Sequence, residues 1–308
     1  RFKNSVDILK NVKASAEKHN ELFYVMYDIS GLSEENLVED LKADWQQVIL
    51  NDLDITSSPS YAKDNGRPVV CLWGLGIREG TGEQYSELID WFHDKGCYVI
   101  GGVSKSWRDQ IAKDEAMEKA FCKLDMLSPW SVGSAKTDSD VDSDASILAA
   151  DKAYLDEKGI AYQPVMFPGF SWSNWKDNAV RNQIPRRAGD FMWRQAYNIA
   201  KQDIHCGYIA MFDEYDEGTA ILKLAEDSSM IPKDQYFITA SADGSYTSSD
   251  LYMRLAGYIP KVLRGEEEIT EEMPLLLSEG PVYFRSGFEK YFDAQPVDGN
   301  GELVKDEL

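Results

Sequence analysis

The sequence has little of the residues on which metal and nucleophilic sites usually depend. It contains three histidines (His19, His93 and His205) and four cysteines without CxxC spacing. The histidines fall near the predicted C-terminal ends of helices, just before strands begin. In a parallel barrel this is the face opposite the active end, which argues against a histidine-ligated zinc and against Ser-His or Cys-His catalysis. The cysteines are typical of buried hydrophobic residues rather than of a disulfide framework.

Basic residues are also scarce. The chain has 32 Lys and Arg against 53 Asp and Glu, a formal net charge of −21. Such a surface repels phosphate backbones, so we expect no nucleic-acid partner. The apolar runs are only about as long as strands, so we expect no membrane insertion. No GxGxxG or P-loop pattern follows a strand, and we expect no cofactor.

The two ends of the chain bear on its location. It opens with RFKNSVDILKNV, which lacks Met and has helical spacing, so we expect a targeting signal to have been removed. The last four residues, KDEL, match an endoplasmic-reticulum retention signal. We therefore expect a secreted or periplasmic protein, or one of the endoplasmic reticulum if KDEL is read by its receptor. The sequence does not predict an oligomeric state.

Strand-like and helical periods alternate along the chain. Apolar runs predict strands at 22–28, 67–76, 97–103, 123–129, 161–169, 207–213 and 235–240. Helical spacing predicts helices at 3–18, 34–50, 81–95, 112–121, 146–158, 188–203 and 248–263. Apolar strands that alternate with helices are typical of a parallel sheet covered on both faces.

Two α/β architectures fit this alternation, a (β/α)8 TIM-type barrel and a doubly wound open sheet. A barrel needs eight strands and the chain offers about seven, so we place the first strand upstream of residue 1. The predicted catalytic barrel covers residues 1–265. Residues 266–308 are predicted to form an acidic C-terminal extension that packs on the barrel or trails from it.

Aromatic and polar residues follow nearly every predicted strand, which favours the barrel. The C-terminal strand ends of a barrel converge on one face, whereas an open sheet concentrates chemistry at one switch point. Aromatic faces beside carboxylates and amides are suited to sugar rings and their hydroxyls. The residues that we predict to bind sugar are Asp28, Trp73, Trp107, Trp130, Trp172, Asn174 and Asp243.

The strand at 207–213 ends in the segment DEYDEGT, which holds four carboxylates within five positions. A divalent cation is one reading, but the spacing lacks the calcium-loop pattern, and we predict no metal. A solvated helix N-terminus is another reading, and it suits Asp216 best. Glu214 and Glu217, three residues apart, face one side if the segment turns. Crowded carboxylates raise each other's pKa, as acid/base catalysis of glycoside hydrolysis requires.

Seven segments, in barrel order, resemble the barrel glycosidases of the clan of glycoside hydrolase families 71 and 99. The chain is most similar to proteins described as family 71/99-like. The segments are VMYDISGL (25–32), GRPVVCLWGLG (66–76), YVIGGVSKSWRD (98–109), LDMLSPWSVG (124–133), QPVMFPGFSWSN (163–174), NQIPRRAGDFMWRQAYN (182–198) and AMFDEYDEGTAI (210–221).

The last segment carries the most specific part of the resemblance, since it is similar to the E-[WY]-x-E-G-T motif of family 99. The resemblance implies that Glu214 acts as a base toward the sugar 2-hydroxyl and Glu217 as the general acid, with retention. Asp216 stands where family 99 usually has His, and Glu214 where family 71 commonly has Asp. The implied substrate is an α-linked mannose chain, or α-1,3-glucan if family 71 is nearer.

We therefore expect a glycoside hydrolase, endo-α-mannanase- or mannosidase-like, that acts on an oligosaccharide or polysaccharide. Two alternatives stay open at this point. One is a catalytically inactive carbohydrate-binding barrel protein, because a fold does not dictate a function. The other is a cation-dependent hydrolase that uses the same acids.

Overall fold

The computed structural model describes residues 5–30, 32, 34–77, 80–176, 179–232, 237–245 and 247–276. Its helices are α1 (Val6–His19), α2 (Leu37–Asp44), α3 (Gly82–Asp94), α4 (Trp107–Ile111), α5 (Glu115–Phe121), α6 (Asp138–Lys158), α7 (Asp190–Lys201) and α8 (Leu251–Leu263). Its strands are β1 (Val25–Asp28), β2 (Lys63–Asp64), β3 (Arg67–Leu75), β4 (Tyr98–Ser104), β5 (Met126–Trp130), β6 (Ala161–Tyr162), β7 (Val165–Met166) and β8 (Tyr208–Ile209). Helix α2 continues as a π-helical segment over Trp45–Asp52.

The described residues divide into two compact units. The first unit runs to residue 130 and includes 153–163, and the second comprises 131–152 and the residues from 164 onward. The predicted boundary at 265 stays a prediction, and most of the extension (277–308), with KDEL, lies outside the described residues. Its described part packs on α7, where the Trp193 indole N–H donates to the Thr270 carbonyl (3.1 Å).

The first unit is built on a parallel sheet in the order β1-β3-β4-β5-β6, with the short β2 antiparallel to β3. The parallel strands follow one another in chain order, without the reversal that marks a doubly wound sheet. Both faces of β3 are buried. Val70 and Leu72 belong to the large core shared with α2 and α3, while Val69 and Cys71 pack with residues of β4. The sequence prediction of apolar strands covered on both faces is confirmed for this sheet.

Helix α3 shows how local sequence sets an element's start. The Thr81 hydroxyl accepts a hydrogen bond from the Gln84 amide (3.3 Å), and the Gln84 side chain accepts one from the Thr81 amide (2.9 Å). This capping box satisfies two amide groups that a helix N-terminus leaves without partners.

Asp125 joins three strands at the N-terminal edge of the sheet. Strand β5 starts at Met126 rather than at 123, so Asp125 precedes the strand. Its carboxylate contacts the Arg67 guanidinium (2.8 Å) and the His93 imidazole (3.0 Å), and it accepts a hydrogen bond from the Val99 amide (2.7 Å). His93 therefore lies at the edge opposite the C-terminal strand ends, as its position near the C-terminal end of α3 predicts.

The second unit contains the parallel pair β7 and β8, helices α7 and α8, and a core that includes Phe167, Phe170, Ile184 and Phe191. The strand predicted at 235–240 is wrong for its described part, since residues 237–240 form none. The Ala240 amide bonds to the Ala225 carbonyl (2.8 Å), a loop contact instead of a ladder. Across the described ranges, no helix is both long and apolar enough to cross a membrane.

Candidate active site

The acidic segment that follows β8 closes into a turn. The Met211 amide donates to the Thr219 carbonyl (3.2 Å), which joins the two ends of the segment. Inside it, the Thr219 amide donates to the Glu214 carbonyl (3.1 Å) and the Gly218 amide to the Tyr215 carbonyl (3.1 Å). Gly218 has a φ of +65°, which favours glycine. We call residues 213–218 the acid turn.

The four carboxylates of the acid turn differ in their exposure. Asp213 and Asp216 are exposed, whereas Glu214 and Glu217 are half-buried. The exposed pair and the half-buried pair are each spaced three residues apart, as expected of a segment that turns. The two glutamates proposed from the sequence are thus the two carboxylates that share a less solvated position.

Electrostatics separates these two glutamates from ordinary surface acids. Burial raises the pKa of Glu214, and the charges of Asp213 and Asp216 raise it further. Burial also raises the pKa of Glu217, with added contributions from Glu214 and Asp216. Since Glu214 raises the pKa of Glu217, the two carboxyls are electrostatically coupled. Such a pair loses its two protons at different pH values, so one carboxyl can act as an acid while the other acts as a base.

Replacing Asp216 with Asn is expected to lower the pKa of both glutamates. The substitution removes a negative charge that opposes ionisation of its neighbours, so Glu214 and Glu217 lose their protons at lower pH. A pH titration of the carboxyl carbons by ¹³C NMR measures both values without any assay of activity. Any activity that needs a protonated Glu217 should fail at a lower pH in the variant.

The matched control is Asp213→Asn, because the charge of Asp213 raises the pKa of Glu214 but is not among the causes that raise that of Glu217. We expect this variant to lower mainly the Glu214 value. Equal shifts of both glutamates in the two variants would contradict the arrangement described above.

A loop that follows β7 donates hydrogen bonds to backbone carbonyls of the acid turn. The Ser171 amide donates to the Glu217 carbonyl (2.7 Å), and the Asn174 side-chain amide donates to the Asp216 carbonyl (3.3 Å). Asn174, predicted to bind sugar, is exposed and contacts the turn. Trp172 is half-buried, edge-on to Phe170 with ring centroids 4.9 Å apart, and the Lys176 ammonium lies 4.3 Å from its ring.

Two further residues of the second unit make contacts relevant to the site: Asp243, which binds nearby backbone amides, and Arg186, which binds the acid turn. Asp243, another predicted sugar-binding residue, is half-buried, and its carboxylate accepts hydrogen bonds from the amides of Ala188 and Ser245 (both 3.2 Å). Sequence reasoning missed Arg186, whose buried guanidinium donates to the carbonyls of Gly218 (2.9 Å) and Ala220 (2.8 Å). The sequence pattern around Arg186 does not indicate this role, because a pair of arginines in a loop is typical of an exposed surface.

In the first unit, Asp28, Trp73 and Trp130 lie together at the C-terminal edge of the sheet. Asp28 pairs in register with Trp73, and the rings of Trp73 and Trp130 meet edge-to-face at 5.1 Å. Gly102 makes room for the Trp73 indole, since a Cβ there would lie 2.6 Å from Trp73 Cδ1. The Asp28 carboxylate accepts a hydrogen bond from the Ser30 amide (2.8 Å). Trp73 and Trp130 are half-buried.

Trp107 lies apart from that group, in the hydrophobic core. Its side chain is 1% exposed and meets Tyr154 edge-to-face at 5.4 Å. It is the first residue of α4, a short helix that the sequence pattern did not predict, and the helix directs the indole inward. A ring buried to this extent presents no face to a sugar.

Among the described residues, no group of three or more His, Cys, Asp or Glu side chains is arranged to hold a metal ion. Cys71 and Cys97 are buried, all four cysteines are free, and burial raises the pKa of the Cys71 thiol to about 12. The two buried thiols thus have the character of hydrophobic core residues.

Two solved structures are similar to this chain. One is the GH99 endo-α-mannosidase from Bacteroides thetaiotaomicron, with a TM-score of 0.63 and 13% identity over 86% of this chain and 72% of that one. The other is a GH99 endo-α-mannosidase in complex with bis-tris-propane, with a TM-score of 0.62 and 13% identity over 83% of this chain and 75% of that one. No family model and no curated protein matches the chain. The likeness confirms the predicted fold class, the (β/α)8 TIM-type barrel.

Proposed function

We propose that this protein is a glycoside hydrolase that cleaves α-linked glycan chains, with Glu214 and Glu217 as its catalytic pair. The observation that carries the proposal is the acid turn, in which two half-buried glutamates with raised pKa values each directly follow an exposed aspartate. The similarity to structures of an endo-α-mannosidase supports an α-mannose chain as the substrate.

In the proposed reaction, Glu217 donates its proton to the glycosidic oxygen while the bond from that oxygen to the anomeric carbon breaks. Glu214 accepts the proton of the sugar 2-hydroxyl, whose oxygen attacks the anomeric carbon. Water then opens the resulting three-membered ring, giving its proton to Glu217, and Glu214 returns its proton to the 2-oxygen. Both carboxyls regain their starting states, and the product keeps the anomeric configuration of the substrate.

The raised pKa of Glu217 supports its role as the acid, since a general acid must hold its proton near the working pH. Sugar contacts are proposed for Trp172, Asn174 and Asp243 in the second unit and for Asp28, Trp73 and Trp130 in the first. Trp107 is not among them, because its ring is buried.

The test is product formation from a panel of α-mannans, α-1,3-glucan and other yeast and plant polysaccharides. We expect new reducing ends from at least one α-linked polymer, and far fewer from the Glu217→Gln protein prepared in parallel. Early release of oligosaccharides would indicate endo action, and early release of single sugars would contradict it. Full activity in excess chelator would exclude the cation-dependent alternative.

Binding without cleavage across the panel would overturn the proposal and favour a carbohydrate-binding protein that lacks the chemistry. Isothermal titration with the same polymers separates this outcome from the absence of any sugar ligand.

A further inference from the structure

Arg186 is a buried cation that contacts the backbone of the acid turn. Only 3% of its surface is exposed, and its guanidinium carbon lies 4.4 Å from the centre of the Tyr252 ring. One nitrogen, Nη2, donates to two carbonyls, those of Gly218 (2.9 Å) and Ala220 (2.8 Å). These acceptors lie one and three residues after Glu217.

Burying the Arg186 guanidinium is expected to lower the stability of the folded state. Burial lowers the pKa of Arg186, and the tyrosine Tyr252 and the carboxylate of Asp243 act against that effect. Within the described residues, Nε and Nη1 of Arg186 have no hydrogen-bond partner. Buried charges often stabilise a protein less than apolar side chains of similar volume would. Stability alone therefore does not explain why a guanidinium is buried at this position.

Its bonds complete a set of donors that fixes the backbone of the turn. Asn174 donates to the Asp216 carbonyl and the Ser171 amide donates to the Glu217 carbonyl. Arg186 donates to the carbonyls of Gly218 and Ala220, on either side of Thr219. With the carbonyls on both sides of the Glu217 Cα held, the direction of its side chain is restricted. A catalytic group displaced by about 1 Å can lose about 10²-fold in rate.

We propose that Arg186 is a positioning residue, which holds the acid turn in the conformation that aims Glu217 at the scissile bond. The inference rests on the proposed hydrolase function for its catalytic meaning. Its structural part, that Arg186 holds the turn, can be tested without any substrate.

The test compares Arg186→Lys with Arg187→Lys. Lys keeps the charge of Arg186, but its stem is shorter and more flexible and it lacks the planar guanidinium, so it cannot place a donor at the position of Nη2 over the Tyr252 ring with the same geometry. Arg187 is the matched control, because it is adjacent and contacts Asp138 (2.7 Å) instead of the turn. Both proteins are assayed well below their melting temperatures, so that loss of folded protein does not enter the rates.

We expect Arg186→Lys to lower kcat by about 10²-fold with KM changed by less than about threefold, since the substrate contacts remain while the acid is displaced. The alkaline limb of its pH profile should move to lower pH as Glu217 becomes more solvated. Hydrogen exchange of the Gly218 and Thr219 amides should accelerate. Arg187→Lys should leave all three readouts near wild type.

Wild-type kcat and wild-type exchange in Arg186→Lys would overturn the inference and leave the hydrolase proposal standing. If the wild-type protein cleaves no substrate, the hydrolase proposal fails, and the exchange rates alone then decide the role of Arg186. Unchanged exchange at the turn amides would refute it. If Arg186→Lys fails to fold, Tyr252→Phe removes a hydroxyl beside Arg186 while keeping the ring, and the same exchange readout applies.

Discussion

Replacing Glu217 with Gln is expected to lower kcat by about 10²- to 10⁴-fold, the usual contribution of general acid/base catalysis. The amide keeps the size of the side chain but has no proton to give to the leaving oxygen. The measurement is the rate of new reducing ends from the best polymer of the panel.

The melting temperature of Glu217→Gln should equal or exceed that of the wild type at neutral pH. A carboxyl whose pKa is raised by folding stabilises the fold below its ordinary pKa, and this contribution is lost as the pH rises through the folded-state value. The neutral amide avoids that loss. A variant that is inactive because it has unfolded would contradict this part of the prediction.

Leaving-group chemistry distinguishes the acid from the base. An aryl glycoside with an acidic phenol needs little protonation, so Glu217→Gln should recover much of its rate on such a substrate. Glu214→Gln should not recover, because the missing base acts on the sugar and not on the leaving group. Rescue of both variants, or of neither, would remove the assignment of roles.

The alternation of apolar strands and helices made the fold class predictable, because each apolar run in the first unit is long enough to be a buried strand. The failure at 235–240 has a local cause. That run is short, and its Ala240 amide bonds to the Ala225 carbonyl in a loop instead of to a neighbouring strand. A composition of apolar and aromatic residues cannot distinguish a strand from a buried loop.

The proposed catalytic pair could be identified in the sequence because Glu214 and Glu217 lie in one short turn, where their spacing alone brings them together. Arg186 was not visible, since its role depends on contacts with Gly218 and Ala220, more than thirty positions away. Ser171 acts through its backbone amide, which no residue type reveals. Local chemistry can be predicted from a single sequence, whereas the groups that support it over long range cannot.

Trp107 and Trp172 look alike in the sequence, since both follow predicted strands, but the structure predicts opposite effects of their loss. Trp107→Ala should lower the free energy of unfolding by about 3–5 kcal/mol, the usual cost of emptying a buried aromatic site. Trp172→Ala should cost about 1 kcal/mol, because Trp172 is only half-buried. Urea denaturation measures both values.

The kinetic effects should be reversed. Loss of the half-buried Trp172 ring should raise KM about tenfold if that ring stacks on a sugar, which corresponds to about 1.4 kcal/mol. Trp107→Phe, which keeps an aromatic ring in the core and preserves folding better than Ala, should leave KM at its wild-type value. A ring that is 1% exposed cannot touch a polymer without local unfolding. A raised KM in Trp107→Phe would therefore contradict the position of Trp107 in the core and indicate that it binds sugar.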